Sequence, residues 1–194
     1  MPVSKVVLNN VVKLDLTADT VTAETLAEGV TAHDASGAQI VGTMQSGGGG
    51  LSWVTVASEL PNPMYLLGDV NRDGGLTTDD AMAVTNYSSG PYDLDSVQKV
   101  LCDVNFDKDI NYIDAMTIID FLAGRIAPVF TYATAAEYPD AKAGQDVKAL
   151  FEVTTSQGTM TAPTYAYVPW DGIIAIYSNI QIPAGAVGTI QILR

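Results

Sequence analysis

One motif is written twice in this chain, and it leaves little freedom to the stretch that holds it. The first copy reads DVNRDGGLTTDD, from Asp69 to Asp80, and the second DVNFDKDINYID, from Asp103 to Asp114, with like positions 34 residues apart. In each, oxygen-bearing side chains stand at positions 1, 3, 5, 9 and 12: Asp69, Asn71, Asp73, Thr77 and Asp80, then Asp103, Asn105, Asp107, Asn111 and Asp114. That spacing lets a twelve-residue loop surround Ca²⁺, a hard cation that takes about six to eight oxygens at about 2.3–2.6 Å. Position 7, Gly75 and Asp109, would add a backbone carbonyl, and position 12 would close the shell with both carboxylate oxygens. An acidic turn that binds nothing would account for one such loop. Two in tandem argue for a cation, because carboxylates gathered this densely repel one another without one. Two Ca²⁺ ions are therefore expected.

Position 8 is apolar in both copies, Leu76 and Ile110, as suits two loops lying side by side. After each loop comes a helical stretch, DAMAVTNYSSG and DAMTIIDFLAG, ending at Gly90 and Gly124, which read as left-handed helix stops. Ala115, Ile118, Ile119 and Leu122 fall on one helical face. On these residues the stretch from Tyr65 to Arg125 resembles the type I dockerins, modules of duplicated loop-helix units joined by a middle helix, here PYDLDSVQKVL from Pro91 to Leu101. The resemblance implies two Ca²⁺ ions and a cohesin module as partner. It also implies that partner choice is carried at loop positions 10 and 11: Thr78 and Asp79 in the first copy, Tyr112 and Ile113 in the second. The two pairs differ, a departure that weighs against the family's binding in two orientations and against an ordinary cohesin. Position 6 departs as well, with Lys108 where the first loop has Gly74. A left-handed conformation costs a residue with a Cβ about 1–2 kcal/mol, so the second site is expected to be weaker by roughly tenfold.

With 194 residues there is room for several small domains, and 47% hydrophobic residues with a mean hydropathy of +0.19 support packed cores. Nine basic against 22 acidic residues leave a net charge of −13, which excludes the basic surface that nucleic acid requires. No apolar run is long enough for a membrane span, and the opening MPVSKVVLNN lacks the apolar run of a signal peptide. Calcium loops of sensor-like affinity fill outside cells; at about 1 mM Ca²⁺ and a Kd of about 10 µM, each site would add about 2.7 kcal/mol of stability. Together these features predict a protein that leaves its cell as part of a particle. Cys102, the only cysteine, reads as a small buried side chain.

Before the motif, Val12, Leu14 and Leu16 alternate with polar residues as in a half-buried strand. Thr22 can cap a short helix from Ala23 to Glu28 that Gly29 would stop, and Thr31–Asp34 with Gln39–Met44 reads as a hairpin turned at Gly37. So small a unit cannot bury much surface alone, and it is expected to assemble with copies of itself or to dock on something larger. From Val12 to Met44 the wording, with LDLTADTVTAETLAEGVTAHDASGAQIVGTM at its centre, is similar to a segment of virion fibre proteins of phages infecting Gram-positive gut bacteria. That resemblance implies a virion-proximal or shaft unit, usually trimeric. His33 then reads as a turn or trimer-interface residue rather than a catalytic one. The SGGGG run, 46–50, is a flexible joint.

Beyond the motif, strands are expected at Asp146–Thr154, Thr161–Val168, Ile173–Ser178 and Val187–Leu193, giving an antiparallel sandwich that Leu51–Ser58 could complete. In that case the calcium module is inserted in a loop of the β domain; beads on a string is the alternative. The fold class expected is multidomain and mixed: a β-rich N-terminal unit at 1–45, a linker at 46–50, a strand segment at 51–64, a helical EF-hand-like module at 65–126 and a β domain at 127–194. Trp53, Trp170, Tyr165, Tyr167 and Tyr177 read as core and trimer contacts more readily than as a carbohydrate platform. Glu137, Asp140, Asp146, Glu152 and Asp171 sit in no recognisable catalytic setting, so no enzyme is expected. The function expected is a phage surface fibre or decoration protein, head fibre before tail fibre. Its N-terminal unit would hold capsid or tail proteins and its calcium module would adhere to a cohesin-like protein, a host-surface protein or a glycan. The alternative is a cellulosome component. Chelation is expected to unfold the central module without detaching the protein from the virion.

Overall fold

Two adjacent asparagines turn the chain at its start. In the computed structural model, which describes residues 3–18, 20–26, 29–43, 51–90 and 92–194, Asn9 and Asn10 take φ of 52° and 61°. This is the primed turn that Asn tolerates and a two-residue hairpin prefers. It joins β1 (Lys5–Leu8) to β2 (Val11–Asp15), and β1 is a strand that the alternation pattern alone does not reveal. The expected helix after Thr22 is a single 3-10 turn at Ala23–Thr25, and Glu28 lies outside the described residues. A second hairpin follows, β3 (Thr31–His33) with β4 (Gln39–Val41). Asp34 Oδ1 accepts from the backbone N–H of Ser36 (2.8 Å) and Ala38 (3.0 Å) in its turn, and Gly37 supplies the positive φ. Among the described residues of this unit no hydrophobic side chain is buried: Val6, Val7, Leu8, Val11, Val12 and Leu14 are 40–59% exposed. The unit, Met1–Leu51, is separate from Ser52–Arg194. Met44, the 46–50 joint and Pro91 lie outside the described residues.

The second unit is mixed. It contains β5 (Trp53–Glu59), β6 (Tyr65–Leu66), α1 (Thr78–Ser89), α2 (Ser96–Cys102) and α3 (Tyr112–Leu122). These are followed by β7 (Tyr132–Glu137), β8 (Val147–Thr155), β9 (Gly158–Ala162), β10 (Thr164–Trp170), β11 (Ile173–Ser178) and β12 (Val187–Leu193). The strands form two antiparallel four-stranded sheets, β5-β12-β8-β9 and β10-β11-β7-β6. The single strand expected at Thr161–Val168 is two, because Pro163 cannot donate to a ladder. At Pro163 the chain leaves the first sheet for the second. Strand β7 was not legible in the sequence: YATAAE is rich in alanine and poor in the β-branched residues that mark strands.

The three helices lie between β6 and β7 in the chain, and those two strands are paired, Tyr65 with Ala133 and Leu66 with Tyr132. The helical segment therefore leaves and re-enters the sheet on neighbouring strands, with Leu67 N–H donating to the Thr131 carbonyl at 2.9 Å across the gap. Strand β11 is buried along both faces. Ile174 and Ile176 join Leu60, Met64, Phe151, Val168, Ile182, Ile190 and Ile192 in a cluster between the two sheets. Ala175 and Tyr177, with Ala133 and Ala135 of β7, join Val84, Val97, Val100, Leu101, Val104 and Ile118 of the helical segment in another. Because successive strand residues point to opposite faces, one sheet serves both cores, and the alanines let α2 pack on β7. Cys102 is buried in this second cluster, as the sequence suggests.

Two helix boundaries differ from expectation. Helix α2 starts at Ser96 rather than Pro91, because Asp95 caps it by accepting from Gln98 N–H at 2.8 Å. Gly90 ends α1 in an extended conformation (φ 179°), whereas Gly124 takes the left-handed stop (φ 65°). Ala135→Leu, which overfills the layer between β7 and the helices, is expected to lower stability by about 1–3 kcal/mol, measured by urea unfolding with the calcium level held fixed.

Candidate metal centre

Both loops begin with an aspartate and end with one that also starts a helix. Thr77 and Asn111, at loop position 9, are the N-caps of α1 and α3: Thr77 Oγ1 accepts from Asp79 N–H (3.2 Å) and Asn111 Oδ1 from Ile113 N–H (2.7 Å). At position 12, Asp80 Oδ2 accepts from Thr77 N–H (2.9 Å) and Asp114 Oδ2 from Asn111 N–H (3.0 Å), closing a capping box in each copy. The helices thus begin inside the loops, at position 10, and not after them. With their oxygens occupied by capping, Thr77 and Asn111 would reach a cation through water, as position 9 often does.

The remaining oxygens are organised by loop N–H groups. Asp69 accepts from Asp73 N–H (3.1 Å) and Gly74 N–H (2.9 Å), and Asp80 Oδ1 accepts from Asn71 N–H (3.2 Å). Asn71 Oδ1 accepts from Asp73 N–H (2.8 Å), and Asp73 Oδ1 from Gly75 N–H (3.0 Å). The second loop repeats the plan: Asp103 Oδ2 takes Lys108 N–H (3.2 Å), Asp114 Oδ1 takes Val104 N–H (3.1 Å), Asn105 Oδ1 takes Asp107 N–H (2.9 Å), and Asp107 Oδ1 takes Asp109 N–H (2.8 Å).

Charge decides what these loops can hold. Asp69, Asp80, Asp103 and Asp114 are all at most 1% exposed, and among the described residues none of them has an ion pair. Burial pushes the carboxyls of Asp69 and Asp103 above their ordinary range and takes Asp114 up to about 6, with neighbouring carboxylates adding to the rise. Asp103 Oδ1 is buried with no hydrogen-bond partner. A buried carboxylate oxygen with neither donor nor cation costs several kcal/mol, and a divalent ion removes that cost. Among the described residues no three His, Cys, Asp or Glu side chains are by themselves arranged to hold a metal. Each shell would draw on Asn71 or Asn105 and on the carbonyl of Gly75 or Asp109 besides its carboxylates. Hard oxygens of this kind fit Ca²⁺.

Residues 67–123 match the family model of the dockerin type I domain. Neither the curated proteins nor the solved structures gave a match. The matched stretch contains both loops and all three helices, and covers less than a third of the chain. It supports calcium binding and cohesin recognition as properties of this stretch. At loop positions 10 and 11, Thr78, Asp79, Tyr112 and Ile113 are all exposed. The second copy is the more apolar, with Tyr112, Ile113 and Met116 exposed at 68%, 46% and 52%.

Two features of the loops were not legible from their own spacing, whereas the left-handed position expected at Lys108 is present, at φ 74°. Position 4 takes a positive φ in both copies, at Arg72 (60°) and Phe106 (64°). The second loop touches Tyr167 and Trp170, more than 60 residues along the chain, for which no local signal exists.

Because the helices and the sheet share one hydrophobic cluster, the effect of chelation is expected to reach beyond the central module. Adding EDTA is expected to lower the melting temperature of the whole Ser52–Arg194 unit in one transition, followed by near-ultraviolet circular dichroism and calorimetry. Asp69→Ala and Asp103→Ala are each expected to diminish the calcium-dependent part of that stability. Lys108→Gly is expected to tighten the weaker calcium association by up to about tenfold, read by titration calorimetry.

Proposed function

We propose that the chain is a non-catalytic docking protein in which two Ca²⁺ ions fix a duplicated loop-helix module, carried on a β-sandwich scaffold, so that the exposed face of α3 takes a protein partner of the cohesin kind. The observation that carries this reading is the burial of four loop carboxylates without a cationic side chain. An ion that holds the loops also sets the first turn of α1 and α3, since the capping residues are loop residues. A face ordered before contact loses less entropy on binding. Three of the five acids considered for catalysis have side-chain partners: Asp171 pairs with Lys142 (3.1 Å), Asp140 with Arg194 (4.0 Å), and Glu137 accepts from Ser96 Oγ (2.8 Å).

The two copies present different faces, Tyr112, Ile113 and Met116 on α3 against Thr78, Asp79 and Met82 at the start of α1. A partner that buries aromatic and aliphatic anchors gains more from the former, which supports a single binding orientation. Against a panel of type I cohesin modules, binding is expected to require calcium and to fall at least tenfold in Tyr112→Ala/Ile113→Ala. The pair Thr78→Ala/Asp79→Ala is expected to change it by less than threefold. Absence of binding to every cohesin in calcium would overturn the cohesin-type partner.

The finer reading is a virion surface fibre or decoration protein, head fibre before tail fibre. Its first unit would assemble as a homotrimer on capsid or tail proteins, and its calcium module would face host-surface proteins or glycans. It is supported by the wording from Val12 to Met44 and by the first unit's apolar exposure: a two-stranded hairpin with valines and leucines bare on both faces needs cover. The dockerin match supports equally a cellulosome component whose module plugs into a scaffold cohesin. Immunoblotting separates them. Signal in purified particles supports the first, whereas signal only in a cohesin-bearing surface complex overturns it.

A further inference from the structure

We propose that the second calcium loop is completed from outside the duplicated segment. Trp170 and Tyr167 of β10 act as positioning residues that hold its backbone and its first carboxylate, an arrangement the first loop reaches with residues of the segment itself. The inference deepens the calcium reading and rests on it.

The two loops face the same backbone demand at position 6 and meet it differently. Gly74 adopts φ 91°, a conformation glycine takes at no steric cost, so the first loop needs no support at that point. Lys108 adopts φ 74° with its Cβ in place, and its carbonyl accepts a hydrogen bond from Trp170 Nε1–H at 2.9 Å. Two residues earlier Phe106 is also left-handed, and its ring stands edge-on to Tyr177 (5.0 Å, 79°) and Phe130 (6.0 Å, 89°). A strained backbone persists where its surroundings over-determine it, and here the surroundings are the sheet. The matching residue of the first loop, Arg72, is held by Asp95 and lies over Tyr65, 5.6 Å from its ring centre.

The first carboxylate shows the same asymmetry. Both oxygens of Asp69 are taken by N–H groups of its own loop. Asp103 Oδ2 is shared between Lys108 N–H (3.2 Å) and the Tyr167 hydroxyl, whose bond at 3.3 Å is long, and Oδ1 is left buried without a donor. One oxygen is thus tethered partly by β10 while the other remains available to a cation. Support already in place reduces the ordering that binding must supply. By reciprocity, an ion in the second loop stabilises the β10 contact.

The test is calcium titration calorimetry on the full chain, comparing wild type with Trp170→Phe, Tyr167→Phe, and Trp170→Phe in a Lys108→Gly background. Trp170→Phe removes the N–H donor and is expected to weaken one of the two calcium associations about three- to tenfold, leaving the other unchanged. Tyr167→Phe should weaken the same association by a smaller factor. With glycine at position 108 the loss caused by Trp170→Phe should shrink, which a general loss of packing would not produce. Circular dichroism in EDTA verifies that each variant is folded; if Trp170→Phe is not, Tyr167→Phe, which removes a single oxygen, carries the test. Unchanged constants in the folded variants, or equal weakening of both associations, would overturn the inference while leaving the calcium reading intact. A wild-type chain that takes up no calcium would overturn both.

Discussion

Burying a carboxylate is a debt that some positive charge must settle, and this fold buries four of them in two loops. Loop N–H groups meet part of the need: Asp80 accepts from Asn71 N–H, Thr77 N–H and Thr77 Oγ1. Hydrogen bonds to a charged acceptor contribute about 1.5–3 kcal/mol each, net of water. Removing an ionised carboxylate from solvent costs several. What the donors leave unmet, above all at Asp103 Oδ1, calls for a cation, and helices α1 and α3 start on the residues that finish the loops. Loop and first helical turn are one structural element, and α1 packs on α3 to join the two copies.

From there the constraint passes into the β-sheet. The sheet β10-β11-β7-β6 has helices on one face and the other sheet on the opposite face, so its central strands carry apolar side chains on both. The helix side of these strands carries Ala133, Ala135, Ala175 and Tyr177 and the sheet side Ala136, Ile174 and Ile176, and the small alanines of β7 let α2 approach closely. The aromatic residues Tyr167, Tyr177, Trp170 and Phe130 fill the space where the second loop meets this sheet. They also pack on one another, with ring centres 5.5 Å apart for Phe130 and Tyr177 and 5.9 Å for Tyr167 and Tyr177.

What the sequence made legible follows from which interactions are local. The loops, the apolar residues at position 8 and the strands at Ile173–Ser178 and Val187–Leu193 could be read because spacing and composition determine them within a few residues. The helix starts were displaced because Thr77 and Asn111 serve loop and cap at once, and a loop pattern hides a cap. Strand β7 was hidden because its alanines answer to helix packing, not to strand propensity. Strand β1 had a signal in Asn9 and Asn10, whose turn chemistry outweighs the alternation next to it. The bond from Trp170 to Lys108 joins residues on different elements, and only the fold reveals it.

The shared sheet bears on how such a module could be moved between proteins. Cut at the boundaries of the family match, residues 67–123 would take with them the helices but leave behind Ala133, Ala135, Ala175 and Tyr177, the floor on which those helices rest. The excised piece would have an apolar underside open to water, and the parent would have a matching bare patch. A donor and a recipient could exchange this module only by altering both surfaces together, so here recombination is tied to coevolution of a floor and its cover.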